Sequence, residues 1–418
     1  MRVRSSTGLA PLRHRDFALL WSGSLVSNVG SWMQTVAVGA LVTASTGRAT
    51  WAVLVAAGAF LPIGLLSPVG GALADRLERR RWLMIGNLVQ TALAGLLAIL
   101  VYAGRTSPGL LVLVMSAQGC VSALVLPFQQ AILPDLVPRQ ELLAASSLNS
   151  AQFNLGRVIG PALAGLTVHF FGYGTAFVAN AVSFLAVVVA LWFVHLPRPP
   201  ELVRHGLWSS ITQGARVARQ QPGLRAAIGL VAIMALLASP FIALIPAVAR
   251  SLTDGRARSV ASATAVLTTA QGVGAVLGAL AVASLALRFG RTKLLMGELT
   301  GVCVALIAYD LSPTLVWAAV ALTIVGGLYI GALSGLSTVV QLQAPPEFRG
   351  RVLSLYTVAL GVLYPIGSLA QGPIADAIGL PVTTAAASML LLGALAFVGL
   401  ARPEVITALA RDAPAPVV

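Results

Sequence analysis

Charge is what this sequence lacks. Only 10% of its 418 residues are Asp, Glu, Lys or Arg, against about a quarter in a soluble globular chain. That is too little to cover a water-facing surface, so most of the surface must face lipid. Lysine is nearly absent: Lys293 stands alone, after Thr292 and before Leu294. A phosphate-binding loop needs Gly-Lys followed by Ser or Thr, so an ATP-driven pump is excluded. The two cysteines, Cys120 and Cys303, fall in different apolar runs with no Cys or His at metal-ligand spacing, which argues against a disulfide, a metal site or any other cofactor. The four histidines lie near span ends or in loops, and no HExxH, paired-Asp or G-x-S-x-G constellation appears. Catalysis therefore has no residues to work with, and the sequence predicts a non-enzyme. The first 15 residues are polar, without the pattern of a cleaved signal.

What is present is oil. Hydrophobic residues make up 57% of the chain, and a membrane span needs about 20 of them in helical form. Backbone groups in lipid must be satisfied within the segment, so long apolar runs mean helices. Twelve such runs are legible, at 17–43, 51–74, 82–103, 109–132, 144–168, 172–195, 226–249, 259–286, 294–311, 314–341, 352–374 and 379–401. The longest polar stretch, 197–225, predicts a linker between six-helix bundles at 1–196 and 226–402, followed by a tail at 403–418. The net charge of +14 would suggest nucleic acid in a soluble protein. Here it reads as topology. Of the 27 Lys and Arg residues, 21 lie on the N-terminal side of alternating spans, five on the other side, and Arg157 within a span. This asymmetry predicts that both termini and the linker are cytoplasmic in a multi-pass cell-membrane protein.

The halves also repeat. Adding 207 to Pro138, Ser147, Gly160 and Gly165 lands on Pro345, Ser354, Gly367 and Gly372. Parallel six-helix repeats describe one transporter architecture. GGALADRLERRR, residues 70–81, resembles the loop signature G-x-L-A-D-R-x-G-R-[KR]-[KR] of the major facilitator superfamily, through Gly71, Leu73, Asp75, Arg76, Arg79, Arg80 and Arg81. Glu78 stands where the pattern has Gly. In the looser second copy, LRFGRTK, Arg288, Gly290 and Arg291 hold the pattern and Leu287 replaces the Asp. GRVIGPALAG resembles the fifth-helix motif of drug/proton antiporters, through Gly156, Gly160, Pro161 and Gly165. NVGSWMQTVAVGALV, PDLVPRQELLAASSLNS and RGRVLSLYTV resemble the branch that holds siderophore exporters and macrolide efflux proteins. The resemblance covers nearly the whole chain. It implies twelve helices in two pseudo-symmetric bundles, alternating access, a small-molecule substrate and protons as the coupling ion.

Individual residues carry two readings each. The 75–81 cluster is a topology anchor held by anionic lipid, or a latch in which Asp75 faces a helix N-terminus. The resemblance points to helix eleven, near Arg351. Arg157 lies too far from either span end to snorkel, and Ser150, Asn154, Arg157 and Pro161 share a stripe, so it faces the bundle interior. There it is either satisfied by neighbours or engages substrate or coupling. Gly156 and Gly160 let another helix approach closely. By elimination Glu298 is the intramembrane carboxyl for proton coupling, unless it pairs with Lys293 or Arg291 at the interface. Asn28, Gln34, Gln118, Gln129, Tyr329 and Ser334, with Trp32 and Met33, are candidate cavity lining, whose neutral character suits a bulky amphipathic solute. Open alternatives are an importer or uniporter of a polar solute, and a non-transporting receptor or scaffold.

Overall fold

The computed structural model describes residues 8–74, 77–194 and 207–410. It is all helix among the described residues. In chain order the helices are α1 (Arg15–Thr46), α2 (Ala49–Ala74), α3 (Arg79–Tyr102), α4 (Pro108–Ala131), α5 (Leu133–Leu136), α6 (Leu142–Phe171), α7 (Tyr173–Phe193), α8 (Leu207–Gln220), α9 (Pro222–Leu237), α10 (Phe241–Ser251), α11 (Ala257–Phe289), α12 (Arg291–Asp310), α13 (Leu315–Gln343), α14 (Arg349–Ile378), α15 (Leu380–Ala401) and α16 (Pro403–Ala410). Among the described residues eleven segments are long and apolar enough to cross a membrane, with α9 and α10 counted as one. The expected fifth span is α6, 30 residues long, which falls short of that apolarity. Large apolar side chains such as Leu280, Leu287, Val316 and Leu400 are exposed. Exposed apolar surface on this scale belongs against lipid.

The structure departs from the expected spans in two places. The seventh apolar run is broken: α9 ends at Leu237 and α10 begins at Phe241. Pro240 is the cause, because its ring removes an N–H and disfavours a helical residue before it. The amide of Gln371 donates to the freed carbonyls of Leu236 (3.3 Å) and Leu237 (2.9 Å). The linker, in turn, is not wholly irregular, since α8 occupies 207–220 and α9 starts at Pro222.

The chain divides into two compact units. Unit 1 comprises 1–46, 58–203 and 255–269; unit 2 comprises 47–57, 204–254 and 270–418. Each therefore takes a short helical piece from the other half of the sequence. In unit 1 one core gathers Phe17, Leu83, Phe128, Ile132, Leu136 and Leu191. In unit 2 one core joins Ala49 and Val53 of α2 to Leu244 and Ala247 of α10 and Ala375 of α14.

The 207-residue repeat is a repeat of contacts. A Cβ on Gly160 of α6 would lie 2.5 Å from Trp32 Cβ in α1, and one on Gly367 of α14 would strike the Leu236 carbonyl in α9. Gly165 meets Ala265 at the start of α11, while Gly372 meets Thr50 and Val53 at the start of α2. Gly172 and Gly379, also 207 apart, have φ of +86° and +96°. Each turns the chain directly into the next helix through a left-handed conformation open to glycine.

Candidate functional site

A cavity of about 830 Å³ opens within unit 1. Its walls come from α1, α3, α4, α5, α6 and α7, with Ile63 from α2. The polarity of α6 now has a reason: Ser146, Asn149, Ser150, Gln152 and Asn154 all line this space. Of the 27 lining residues eight are carboxamides, six are serines and none is charged. The other thirteen are apolar, among them Phe17, Trp21, Phe153 and Phe184. Size and mixed lining match a site for a drug-sized molecule.

A buried neutral network lies beside the cavity. The Asn180 amide in α7 donates to Gln34 Oε1 at 2.8 Å, and Gln34 donates in turn to Gln118 Oε1 in α4 at 2.5 Å. Gln90 of α3 donates to the Gln118 carbonyl and to Ser122 Oγ. Four helices are thereby tied through amides, which need no counter-ion in an apolar interior. Of the expected lining, Asn28 and Gln129 do line this cavity, whereas Gln34 and Gln118 belong to the network behind it. Tyr329 is buried in unit 2, hydrogen-bonded to Ser239 at 2.8 Å and edge-on to Phe241. Trp32 and Met33 do not line the cavity; Met33 is buried.

Arg157 is buried, as its position in the span implies. Its guanidinium stands 5.8 Å from the centre of the Trp32 ring, whose other neighbour is the edge of Phe153. Pro161 is buried on the same helix, and Gly156 abuts the Asn28 amide. The motif glycines thus set how closely α6 approaches α1, and Arg157 packs at that seam.

Asp75 and Arg76 lie outside the described residues. Gly71 faces open space, with no heavy atom within 4 Å of where a Cβ would stand. Arg79 Nη1 pairs with Asp135 of α5 at 2.5 Å, with both side chains mostly buried. Arg80 donates to the Trp192 carbonyl at 2.8 Å. Arg79 and Arg80 therefore bind unit 1 to itself. Glu78 is extended, at φ −63°, while Gly290 takes φ +82°, so the two copies of the signature enter their helices differently. Arg288 stacks on the adjacent Phe289 ring, and Arg291 opens α12.

Glu298 is 6% exposed and lies against Gly331 of α13. It makes no ion pair among the described residues, so the expected interfacial pairing with Lys293 or Arg291 is not found. Two further carboxylates stand out that the sequence pattern places merely at ends and loops. Asp310, the last residue of α12, has a buried Oδ2 with no hydrogen-bond partner among the described residues. Asp376 of α14 accepts from the Ala49 and Thr50 amides at 2.6 and 3.1 Å and from the Thr50 hydroxyl. It thus caps α2 from 327 residues away. No sequence signal announces that pairing.

Known proteins bear on this geometry. The enterobactin exporter EntS of Escherichia coli O1:K1 is 29% identical over 393 residues, 91% of each chain. The multidrug efflux pump Tap of Mycolicibacterium fortuitum is 27% identical over 391 residues, 90% of this chain and 94% of its own. Macrolide efflux protein A of Streptococcus pyogenes is 22% identical over 87% of this chain and 90% of its own. Among solved structures, a bacterial homologue of the lysosomal transporter Spinster superposes with a TM-score of 0.75 at 17% identity, covering 96% of this chain and 99% of that one. A bacterial homologue of ferroportin gives 0.69 at 19% identity, over 95% and 99%. These likenesses show the fold. The family model for transmembrane secretion effectors, MFS_3, matches residues 6–416, and the chain belongs to that family of multi-pass transporters in the major facilitator superfamily.

Proposed function

We propose that this transporter exports a hydrophobic or amphipathic small molecule, of drug, macrolide or siderophore class, by alternating access coupled to protons. The observation that carries the reading is the uncharged cavity of unit 1, whose walls combine amide, hydroxyl and apolar groups. Relatives named for multidrug, macrolide and enterobactin efflux support the outward direction. The excess of arginine on one side supports cytoplasmic termini. Glu298, buried and without an ion pair among the described residues, is the coupling carboxyl in this reading. One proton moving through 100 mV supplies about 2.3 kcal/mol, enough for roughly a fifty-fold gradient.

The test is uptake into inverted membrane vesicles under an imposed proton gradient, with a panel of amphipathic solutes. Export requires gradient-dependent accumulation that Glu298→Gln abolishes while leaving binding intact. Accumulation insensitive to the gradient would remove proton coupling, and accumulation only in right-side-out vesicles would reverse the direction.

A further inference from the structure

The hydrogen bonds inside the cavity have a polarity. Asn28 Nδ2 donates to the carbonyls of Gln152 and Phe153 at 3.0 and 3.3 Å. Asn87 Nδ2 donates to the Leu83 carbonyl at 2.7 Å, and Asn154 Nδ2 to the Ser150 carbonyl at 2.8 Å. Gln90 Nε2 donates to the Gln118 carbonyl and to Ser122 Oγ at 3.1 and 2.9 Å. A backbone carbonyl only accepts, so in all four side chains the NH₂ end must face the protein. The oxygen end of each is left without a bond from the described residues. Two lining serines behave alike: Ser31 donates to the Ser27 carbonyl and Ser150 to the Ser146 carbonyl. Their lone pairs remain.

We infer that the unit 1 cavity selects a neutral solute rich in hydroxyl donors, such as a polyol, glycoside or polyphenol. This deepens the export reading and rests on it for the claim that the cavity carries substrate. Six oxygens, held in place by bonds the protein already makes, present acceptors to the space. A hydroxyl-bearing ligand satisfies them without rearranging the wall. A ligand bearing only acceptors leaves these six unmatched and finds side-chain amide donors only in Gln129, Gln130, Asn149 and Gln152. Ammonium groups also donate, but a cation entering here loses its water and meets no carboxylate in the lining. Two acids of unit 1 are engaged elsewhere: Asp135 by Arg79, and Glu141 by His14 at 3.1 Å. The thirteen apolar lining residues, Phe17, Trp21, Phe153 and Phe184 among them, receive the ligand's less polar faces.

Three probes, the first two sharing one skeleton, separate these terms on the full chain in lipid nanodiscs, read by calorimetry. They are phenyl β-glucoside, its tetra-O-methyl ether, and benzylammonium. The glucoside is expected to bind at least about tenfold more tightly than the ether, since each lost donor forfeits roughly two- to tenfold. Benzylammonium is expected to bind more weakly than the glucoside. Asn87→Leu and Gln90→Leu should each weaken the glucoside severalfold and leave the ether unchanged. An ether that binds as tightly as the glucoside, a benzylammonium that binds more tightly, or a glucoside that does not bind overturns the inference. The comparison on the unaltered protein decides even where a variant fails to fold. Inverted vesicles part the two claims. If the glucoside binds yet is never accumulated, the selectivity stands and the export reading falls. If methylated and charged solutes are exported while the glucoside is refused, the selectivity alone falls.

Discussion

Gly160→Ala tests the seam that shapes the cavity. An ideal Cβ at this position lies 2.5 Å from Trp32 Cβ, 2.7 Å from the Val29 carbonyl oxygen and 3.1 Å from the Met33 nitrogen. Carbon atoms rest about 3.5–4.0 Å apart, so α6 must retreat from α1 by roughly 1 Å or deform. Overpacking of this kind costs about 1–3 kcal/mol. Alanine also favours a helix interior over glycine by about 0.5–1 kcal/mol. The clean control is therefore a glycine with space around it. Gly95 in α3 and Gly297 in α12 have nothing within 4 Å of an added Cβ. Gly95→Ala and Gly297→Ala gain the propensity term alone, so the gap between them and Gly160→Ala isolates the overpacking term of about 1–3 kcal/mol. Thermal unfolding in detergent, followed by tryptophan emission, should rank Gly160→Ala below the unaltered chain and both controls at or above it. A Gly160→Ala protein as stable as Gly95→Ala would refute the close helix contact.

Three other perturbations probe the remaining contacts. Asp376→Ala strips the cap from α2 and should cost about 0.5–2 kcal/mol; amide exchange at Ala49 and Thr50 should quicken, and unchanged exchange would contradict the cap. A double-mutant cycle of Arg79→Ala and Asp135→Ala should return a coupling of about 0.5–3 kcal/mol, and zero coupling would mean that the pair does not hold α5 to α3. The analogous cycle of Trp32→Leu and Arg157→Met should return about 0.5–2 kcal/mol, measured as unfolding midpoints, with additivity as the refuting result.

The helices were legible because lipid leaves the backbone one solution, and the apolar runs match them within a few residues. Arg157 was legible as interior because a mid-span guanidinium has no route to water. The break at Ala238–Pro240 had a signal in Pro240, hidden inside an otherwise unbroken apolar run. The pairing offered for Glu298 fails on helix geometry: Lys293, five residues away, lies roughly 140° round α12, and Arg291, seven away on the same face, lies two turns, roughly 10 Å, along the axis. Side-chain partners far apart in the chain were not legible. Asn180 and Gln34 are separated by 146 positions, and Asp376 and Ala49 by 327. Composition marks such residues as polar but does not say whom they meet. The amide directions in the cavity belong to the same class, since only the neighbouring carbonyls fix them.

The interruption between α9 and α10 bears on which parts of unit 2 can bend. Proline usually creates a hinge, because the carbonyls it releases are free to swing. Here the Gln371 amide clasps two of them, and Gly367 sits flush against the same turn. In hydrocarbon no water stands ready to replace those bonds. The joint is therefore a welded elbow: α9, α10 and the middle of α14 should travel as one piece, and any flexing that accompanies turnover must be sought at other points along the chain.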